Sequence, residues 1–432
     1  MIYWAQLFHF YQPPTQIPSI LKKICDESYR PLIEVLEQYS NAKATVNING
    51  VLIDMLRNCG HTDVLNGLKK LAEKGQIEFT ATGKYHPILP LIPPEEIKRQ
   101  IELNQRTGVS AFGDVYKPNG FFPPEMAYSR AILPAVIEAA CKWIIISGIA
   151  CPIKWPVDVI HQIEHEGKQI SVFFRDDIIS NKISFQELDA KNFLENLKNL
   201  QNNKENIYVI TAMDAETYGH HIKDWEELFL AEVYEQLEEG IEIYTTNIQQ
   251  KKVLATQHAN LLQDVETAQQ VQTVTISQLM EIFKNGAVID PRPSSWSTSS
   301  GDIEMGNPYP LWQDKDNEIH NLLWEHLAIC NELCLRAIKI ADNDESKRFS
   351  TISRGLLDRT QHSDPFWWAS RRPMWDINLV HMGLIEQWRA IVNAYHAINS
   401  SGADRKIKSE CYYKVVAARD IRNKVVDRLF IT

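Results

Sequence analysis

The stretch NIYVITAMDAETYGHH, residues 206–221, passes from an apolar run directly into two carboxylates, a phenol and two histidines. Residues 206–213 read as a strand buried on both faces, the kind that belongs to a parallel sheet covered by helices. Asp214 and Glu216 then stand where an unpaired charge is costly, so they need partners or a raised pKa. Ordinary packing gains nothing from acids at such a position, whereas a site for chemistry does.

The same rhythm extends in both directions. Strand-like runs occur at IYWAQLFHF (2–10), KATVNI (43–48), QIEFTA (76–81), NGFFPP (119–124), KWIIISG (142–148), QISVFFR (169–175) and NIYVITAM (206–213), with GIEIYT (240–245) as a weaker eighth. Most are separated by helix-patterned stretches such as LKKICDESYRPLIEVLEQY (21–39). Strand, helix, strand predicts an α/β fold with a mostly parallel sheet and helices outside it. The glycine-rich phosphate turn of a doubly wound dinucleotide fold is missing near the first strand, so an irregular or incomplete barrel is favoured. Residues 247–273 are rich in Gln and predict an exposed excursion. Residues 290–312 form a long loop of Pro, Ser and Gly with tryptophans in it, which points to a functional loop. From residue 317 onward the 3.6-residue period persists, giving a helical C-terminal domain. The division predicted is a catalytic barrel over 1–290 and a helical domain over 291–432 that contributes loops to the active-site cleft.

Composition narrows the partners. With 432 residues, 44% hydrophobic and 23% charged, the chain can bury a large core. A net charge of -10 disfavours nucleic acid, which calls for a basic stripe. No run approaches the roughly 18 apolar residues of a membrane span, and MIYWAQLFHF has no basic leader, so no membrane partner and a cytoplasmic location are expected. The seven cysteines are scattered; Cys330 and Cys334 have only helical spacing, so reduced, space-filling thiols are the reading. No cofactor and no metal are expected, and the oligomeric state is left open.

In barrels, chemistry sits where strands run into loops. His9 closes the first strand; Glu78 and His86 belong to GQIEFTATGKYHPILPLIP; Glu125 follows FFPP; Arg175 and Asp176 follow SVFF; Asp214 and Glu216 follow YVITAM. A lone Glu at a helix start commonly just serves the macrodipole. Glu125, however, stands on a proline-braced turn, and a nucleophile needs a fixed carboxylate. Asp214, with His220 and His221 as neighbours, suits a general acid. Two carboxylates on separate strand ends fit cleavage of a glycosidic bond. Aromatic rings should then line the cleft, since sugar C–H faces pack on indole and phenol. Trp296, Trp312, Trp367, Trp368 and Trp375 lie in or near loops suited to that, while Trp324 and Trp388 fall in helical period and read as core.

These residues resemble glycoside hydrolase family 57, the retaining enzymes that act on α-glucans. Five short stretches in order carry the resemblance: HFYQPP, GQIEFTATGKYHPILPL, FFPPE, MDAETYGHH and HSDPFWW. It implies an irregular (β/α)7 barrel followed by a helical domain, an α-glucan or maltooligosaccharide substrate, Glu125 as nucleophile and Asp214 as general acid/base. It also implies that His9, Glu78, His86, Glu216, His220, His221, Asp364 and Trp367 surround the sugar, and Tyr11, Arg175, Trp296 and Trp368 complete the expected substrate-binding set. One position departs from the family: Tyr11 stands where the first motif usually has His, and a phenol can donate a hydrogen bond but takes up no proton near neutrality. The competing readings are a metal-dependent deacetylase- or mannosidase-like barrel, using His9, Asp214, His220 and His221, and a carbohydrate-binding homologue without turnover. Adjacent histidines do not readily face one ion, and neither catalytic carboxylate is replaced, so both rank behind a retaining glycosidase or glucanotransferase.

Overall fold

Strand β1 (Ile2–Phe10) sorts its side chains onto two faces, as the two-residue period of a pleated strand requires. Ile2, Trp4, Phe8 and Phe10 enter a large apolar core shared with helices, whereas Ala5 and Leu7 enter a second core on the opposite face. Strand β8 (Ile207–Asp214) divides likewise: Val209 and Met213 join the first core, Tyr208, Ile210 and Ala212 the second. Both faces are therefore covered, which is why the sequence of these strands shows no polar alternation. The computed structural model describes residues 1–201, 204–238, 271–372 and 375–431.

The sheet runs in the order β8, β1, β2 (Ala44–Ile48), β3 (Ile77–Ala81), β4 (Gly120–Phe121), β5 (Trp143–Ser147), β7 (Lys168–Arg175), β6 (Ile160–His165) and β10 (Asn285–Val288). From β8 to β7 every pairing is parallel. β9 (Val271–Val274) takes the edge of β1 over Ile2–Ala5, and β2 takes the same edge over Leu7–Phe10. Just past β7, Asp176 N donates to Ile210 O at 2.8 Å and Arg175 Nε donates to Ala212 O at 2.7 Å. The sheet thus curls until its two outer parallel strands touch, forming the incomplete seven-stranded barrel.

Three strands were not anticipated. β6 returns antiparallel to β7 through Glu166 (φ 49°) and Gly167 (φ 78°), a two-residue hairpin turn with both residues left-handed. The stretch 240–245 and most of 247–273 lie outside the described residues. The end of that predicted excursion, Val271–Thr273, is strand β9, with Val271 and Thr273 buried.

One helical feature bears on the site. The helix Pro18–Ile24 continues through a π-wound segment, Cys25–Tyr29, into the helix Arg30–Gln38. A π turn winds in one residue more than the α ladder accommodates, and such turns often mark functional positions.

The chain forms two compact units, Met1–Gln12, Gln16–Gly83 and Ile97–Trp296 making one, Pro13–Thr15, Lys84–Glu96 and Ser297–Thr432 the other. The second is built on four long helices, Glu318–Ile340, Asp344–Thr360, Ile377–Ser400 and Arg405–Ile431, around buried Leu327, Leu333, Leu357, Leu384 and Ile391. Its inner polar clasp explains why Lys84–Glu96 belongs to it. Arg354 donates from Nη1 and Nη2 to the two carboxylate oxygens of Glu96 at 2.7 and 2.6 Å, and Gln361 Nε2 adds a third bond to Glu96 at 2.7 Å. Asp358, one turn along the helix, takes Arg354 Nη2 at 2.7 Å. Among the described residues no helix is long and apolar enough to cross a membrane.

Candidate active site

His9 and Asp214 are register partners on β1 and β8. By the alternation of those strands both belong to the inner face, beyond Leu7 and Ala212. His9 is 2% exposed, and burial lowers its pKa to about 4 against the opposing effect of its hydrogen bond to Asn47, so its ring is neutral at physiological pH. Nδ1 lies 2.6 Å from Asn47 Oδ1, and Asn47 Nδ2 donates to Thr80 Oγ1 at 2.8 Å. That second bond orients the amide, so His9 Nδ1 carries the proton and Nε2 is the acceptor nitrogen.

Asp214 ends β8 with its carboxyl pushed above the usual range by burial, which the nearby Arg175 guanidinium only partly opposes. Glu216 is 4% exposed and is raised further, first by burial and then by the charge of Asp214. Its Oε1 accepts from Gln12 Nε2 at 2.6 Å and from the Tyr29 hydroxyl, which the π segment delivers. The two acids titrate as one system, and their last proton leaves above the ordinary carboxylate range.

Glu125 lies just past the end of β4. It follows Pro123 and Pro124 with φ 59° and ψ 17°, and Met126 follows at φ 49°, two successive non-glycine residues in the left-handed region. Such backbone costs of the order of 1–3 kcal/mol per residue and persists only where neighbours enforce it. Here the enforcement is visible. Tyr128 and Ser294 exchange backbone bonds at 2.8 and 3.2 Å, Trp296 N donates to Glu125 O at 3.1 Å, and Trp296 Nε1 donates to Glu125 Oε2 at 2.8 Å. The His9 ring stacks on Phe122 (centroids 4.8 Å apart) and on Tyr11 (6.0 Å), and meets Trp296 edge-on at 5.8 Å.

Other expected residues fall elsewhere. Glu78 faces the same interior one layer closer to the strand starts, where Oε1 accepts from Thr45 Oγ1 at 2.9 Å and from Ser277 N, in the first turn of the helix Ile276–Ile282, at 3.0 Å. Arg175 spends its guanidinium on Ala212 O, Asp177 Oδ1 (2.9 Å) and Asn181 Oδ1 (2.9 Å), bracing β8 from behind. His220 Nδ1 meets Glu27 Oε2 at 2.6 Å, while exposed His221 contributes its backbone N–H to Glu216 O at 2.7 Å. Gly219 allows that turn: at φ 101° an added Cβ would stand 1.8 Å from Glu27 O.

Within the helical unit, His86 is fully buried at φ 57°, with Nδ1 2.9 Å from Ser363 Oγ and its carbonyl accepting Ser363 N at 3.1 Å. Asp364 opens a short helix, Asp364–Trp368, and Trp367 and Trp368 stand nearly perpendicular at 4.7 Å. His362 Nδ1 is 2.7 Å from Asp364 Oδ2 and its Nε2 is 3.3 Å from Glu386 Oε2. Burial alone would lower its pKa, but the two carboxylates overcome it and carry it to about 9. Arg359 closes the chain, with Nε on Glu386 Oε1 and Nη2 on Pro14 O, both at 2.8 Å. Trp312, expected in the cleft, is instead fully buried, and its carbonyl accepts Trp324 Nε1 at 2.8 Å.

Sequence reasoning missed Asn47, Gln12, Tyr29 and His362. Gln12 and His362 lie inside the quoted motifs HFYQPP and HSDPFWW, which was a usable signal; Asn47 and Tyr29 had none. Among the described residues no group of three His, Cys, Asp or Glu side chains could hold a metal ion.

The sequence model described as glycosyl hydrolase family 57 matches residues 5–256, more than half the chain. An α-amylase of Pyrococcus horikoshii is 29% identical over 219 residues, 49% of this chain and 33% of that protein. A 4-α-glucanotransferase of Thermococcus kodakarensis is 27% identical over 219 residues, 49% of this chain and 32% of that protein. The chain thus spans about a third of the length of these curated relatives. Among solved structures, a branching enzyme from Thermococcus kodakaraensis superposes with a TM-score of 0.67 at 14% identity, covering 97% of this chain and 95% of that one. An α-amylase from Thermotoga maritima gives 0.66 at 14% identity, covering 96% of each chain.

Proposed function

The chain belongs to glycosyl hydrolase family 57, and from that membership we propose that it is a retaining enzyme acting on α-linked glucans by double displacement. Glu125, held by Trp296 Nε1, attacks the anomeric carbon while Asp214 gives its proton to the departing glycosidic oxygen. The bond to the leaving chain breaks as the Glu125 ester forms, with inverted configuration at that carbon. Asp214, now a carboxylate, takes the proton from the acceptor hydroxyl, whose oxygen displaces Glu125 and restores the original configuration. Water as acceptor gives hydrolysis; a sugar hydroxyl gives transfer.

The observation that carries this reading is the difference between the two acids. Asp214 is kept protonated to higher pH by burial, as a proton donor requires, while Glu125 is fixed by strained backbone and an indole N–H, as a nucleophile requires. His9, the register partner of Asp214, is neutral, and Tyr11 packs against its ring. The charge of Asp214 in turn helps keep Glu216 protonated.

Incubation with maltooligosaccharides, followed by product sizing and NMR of the first anomer formed, tests the reading. Shortened or redistributed chains with retained α-configuration support it. Unchanged substrate, a first product of β-configuration, or full turnover by Glu125→Gln overturns it.

A further inference from the structure

The helical unit carries a groove of about 470 Å³, within the usual range of small-molecule sites, about 300–1,000 Å³. Trp324, Ala328, Asn331 and Leu335 line one wall, at spacings of four, three and four that place them on one face of the helix Glu318–Ile340. Leu91 and Gln313 contribute from the segments beside it.

Two of these residues are arranged for a ligand. Trp324 is half-buried and rigid: its Nε1 donates to Trp312 O and its ring stacks on Phe366 with centroids 4.1 Å apart. Asn331 is 7% exposed; its Nδ2 donates to Leu327 O at 3.1 Å, but among the described residues no donor meets its Oδ1. A buried amide oxygen without a donor is costly, and it belongs to a residue that lines the groove.

The lining also says what kind of ligand fits. Glu332 is the one charged residue on it, and its carboxylate is paired with Lys414, so neither an anion nor a cation finds a counter-charge there. A wholly apolar ligand would leave Asn331 unsatisfied. Indole and leucine surface beside amide groups instead suits a neutral ring with C–H faces and hydroxyl edges. We propose that this groove is an accessory binding site for a segment of α-glucan. The inference rests on the α-glucan reading above and adds a second place where the same polymer is bound.

The test uses the full chain. Ala328→Arg fills the groove from an exposed helix position, and Gln313→Ala trims its exposed rim. Binding to amylose is measured in a Glu125→Gln background, so the polymer is not consumed, and kinetics are measured with Glu125 intact. Ala328→Arg should weaken amylose binding and raise KM for amylose by about tenfold, the effect of losing one good contact, with a smaller change for Gln313→Ala. Both should leave kcat and KM for maltotriose unchanged. Parent-like amylose binding and KM in both variants overturns the groove while leaving the α-glucan reading intact. Failure of the unmutated chain to bind or convert any α-glucan overturns both.

Discussion

Asp214 and Glu216 at the end of β8, and Asp364 and Glu386 in the helical unit, are two pairs of partly or fully buried carboxylates kept in opposite ways. The second pair brackets a protonated His362, with Arg359 on Glu386; burial would raise Glu386, yet these cations hold it below its ordinary value. The first pair has Arg175 nearby, but that guanidinium is hydrogen-bonded to Ala212 O, Asp177 and Asn181, and both acids stay above the carboxylate range. Where the fold needs a clasp it supplies cations in contact. At the end of β8 burial outweighs the nearby guanidinium, and both acids keep their protons to higher pH.

That contrast can be broken in four ways. Asp214→Asn should leave the fold intact and lower kcat on maltooligosaccharides by about 10²–10⁴-fold, the usual weight of one general acid/base; steady-state kinetics beside a circular-dichroism spectrum read both halves. Arg354→Met, in the helical unit, should do the reverse, destabilising by about 3–5 kcal/mol because Glu96 and Asp358 are left as buried charges. Urea unfolding measures it, and a loss within error would mean the clasp is ornamental.

A third difference appears with pH. The folded pKa of His362, about 9, lies above its ordinary 6.5, so its contribution is complete below pH 6.5 and disappears as pH rises through 9, at most about 3 kcal/mol. Stability measured from pH 6 to 10 should fall accordingly, and His362→Gln should flatten the curve. The smallest effect is expected at the barrel end, where stability also falls as pH rises but replacing the group stabilises instead of destabilising. Glu216 is raised in the folded state, so its ionisation costs stability as pH climbs from its ordinary value through its folded one. Glu216→Gln keeps the oxygen that accepts from Gln12 and Tyr29 and should stabilise by roughly 1–2 kcal/mol at pH 8. A drop in melting temperature would show that the acid is bound more favourably than its burial implies.

The barrel was legible because parallel strands covered on both sides announce themselves as unbroken apolar runs, and acids that end such runs stand out. Seven strands and the four long helices were read that way. The short strands β6 and β10 were not, since His161, Gln162, Glu164 and the glycine of Asn285–Val288 carry little strand signal away from their partners. At the candidate site, Glu125, Asp214 and Trp296 were singled out from position, but the bond between Trp296 and Glu125 joins distant parts of the chain and no local pattern encodes it. Glu78 and Arg175 have partners that their types and positions did not announce. Their types suited substrate contact, whereas layer and register assign Glu78 to a helix start and Arg175 to the back of β8. Tyr29 was invisible because it lies in an ordinary amphipathic run whose winding only the folded helix reveals.

The winding at Cys25–Tyr29 sets the angular phase of everything before it. Each α-helical residue turns the chain by about 100°, so deleting a single residue there would let the helix rewind regularly at little thermodynamic cost while rotating Tyr29 and Glu27 relative to one another. The Tyr29 hydroxyl and the Glu27 carboxylate could then no longer serve Glu216 and His220 together. A one-residue gap in a homologue at this point would therefore mark a change of active-site chemistry rather than a harmless loss of length.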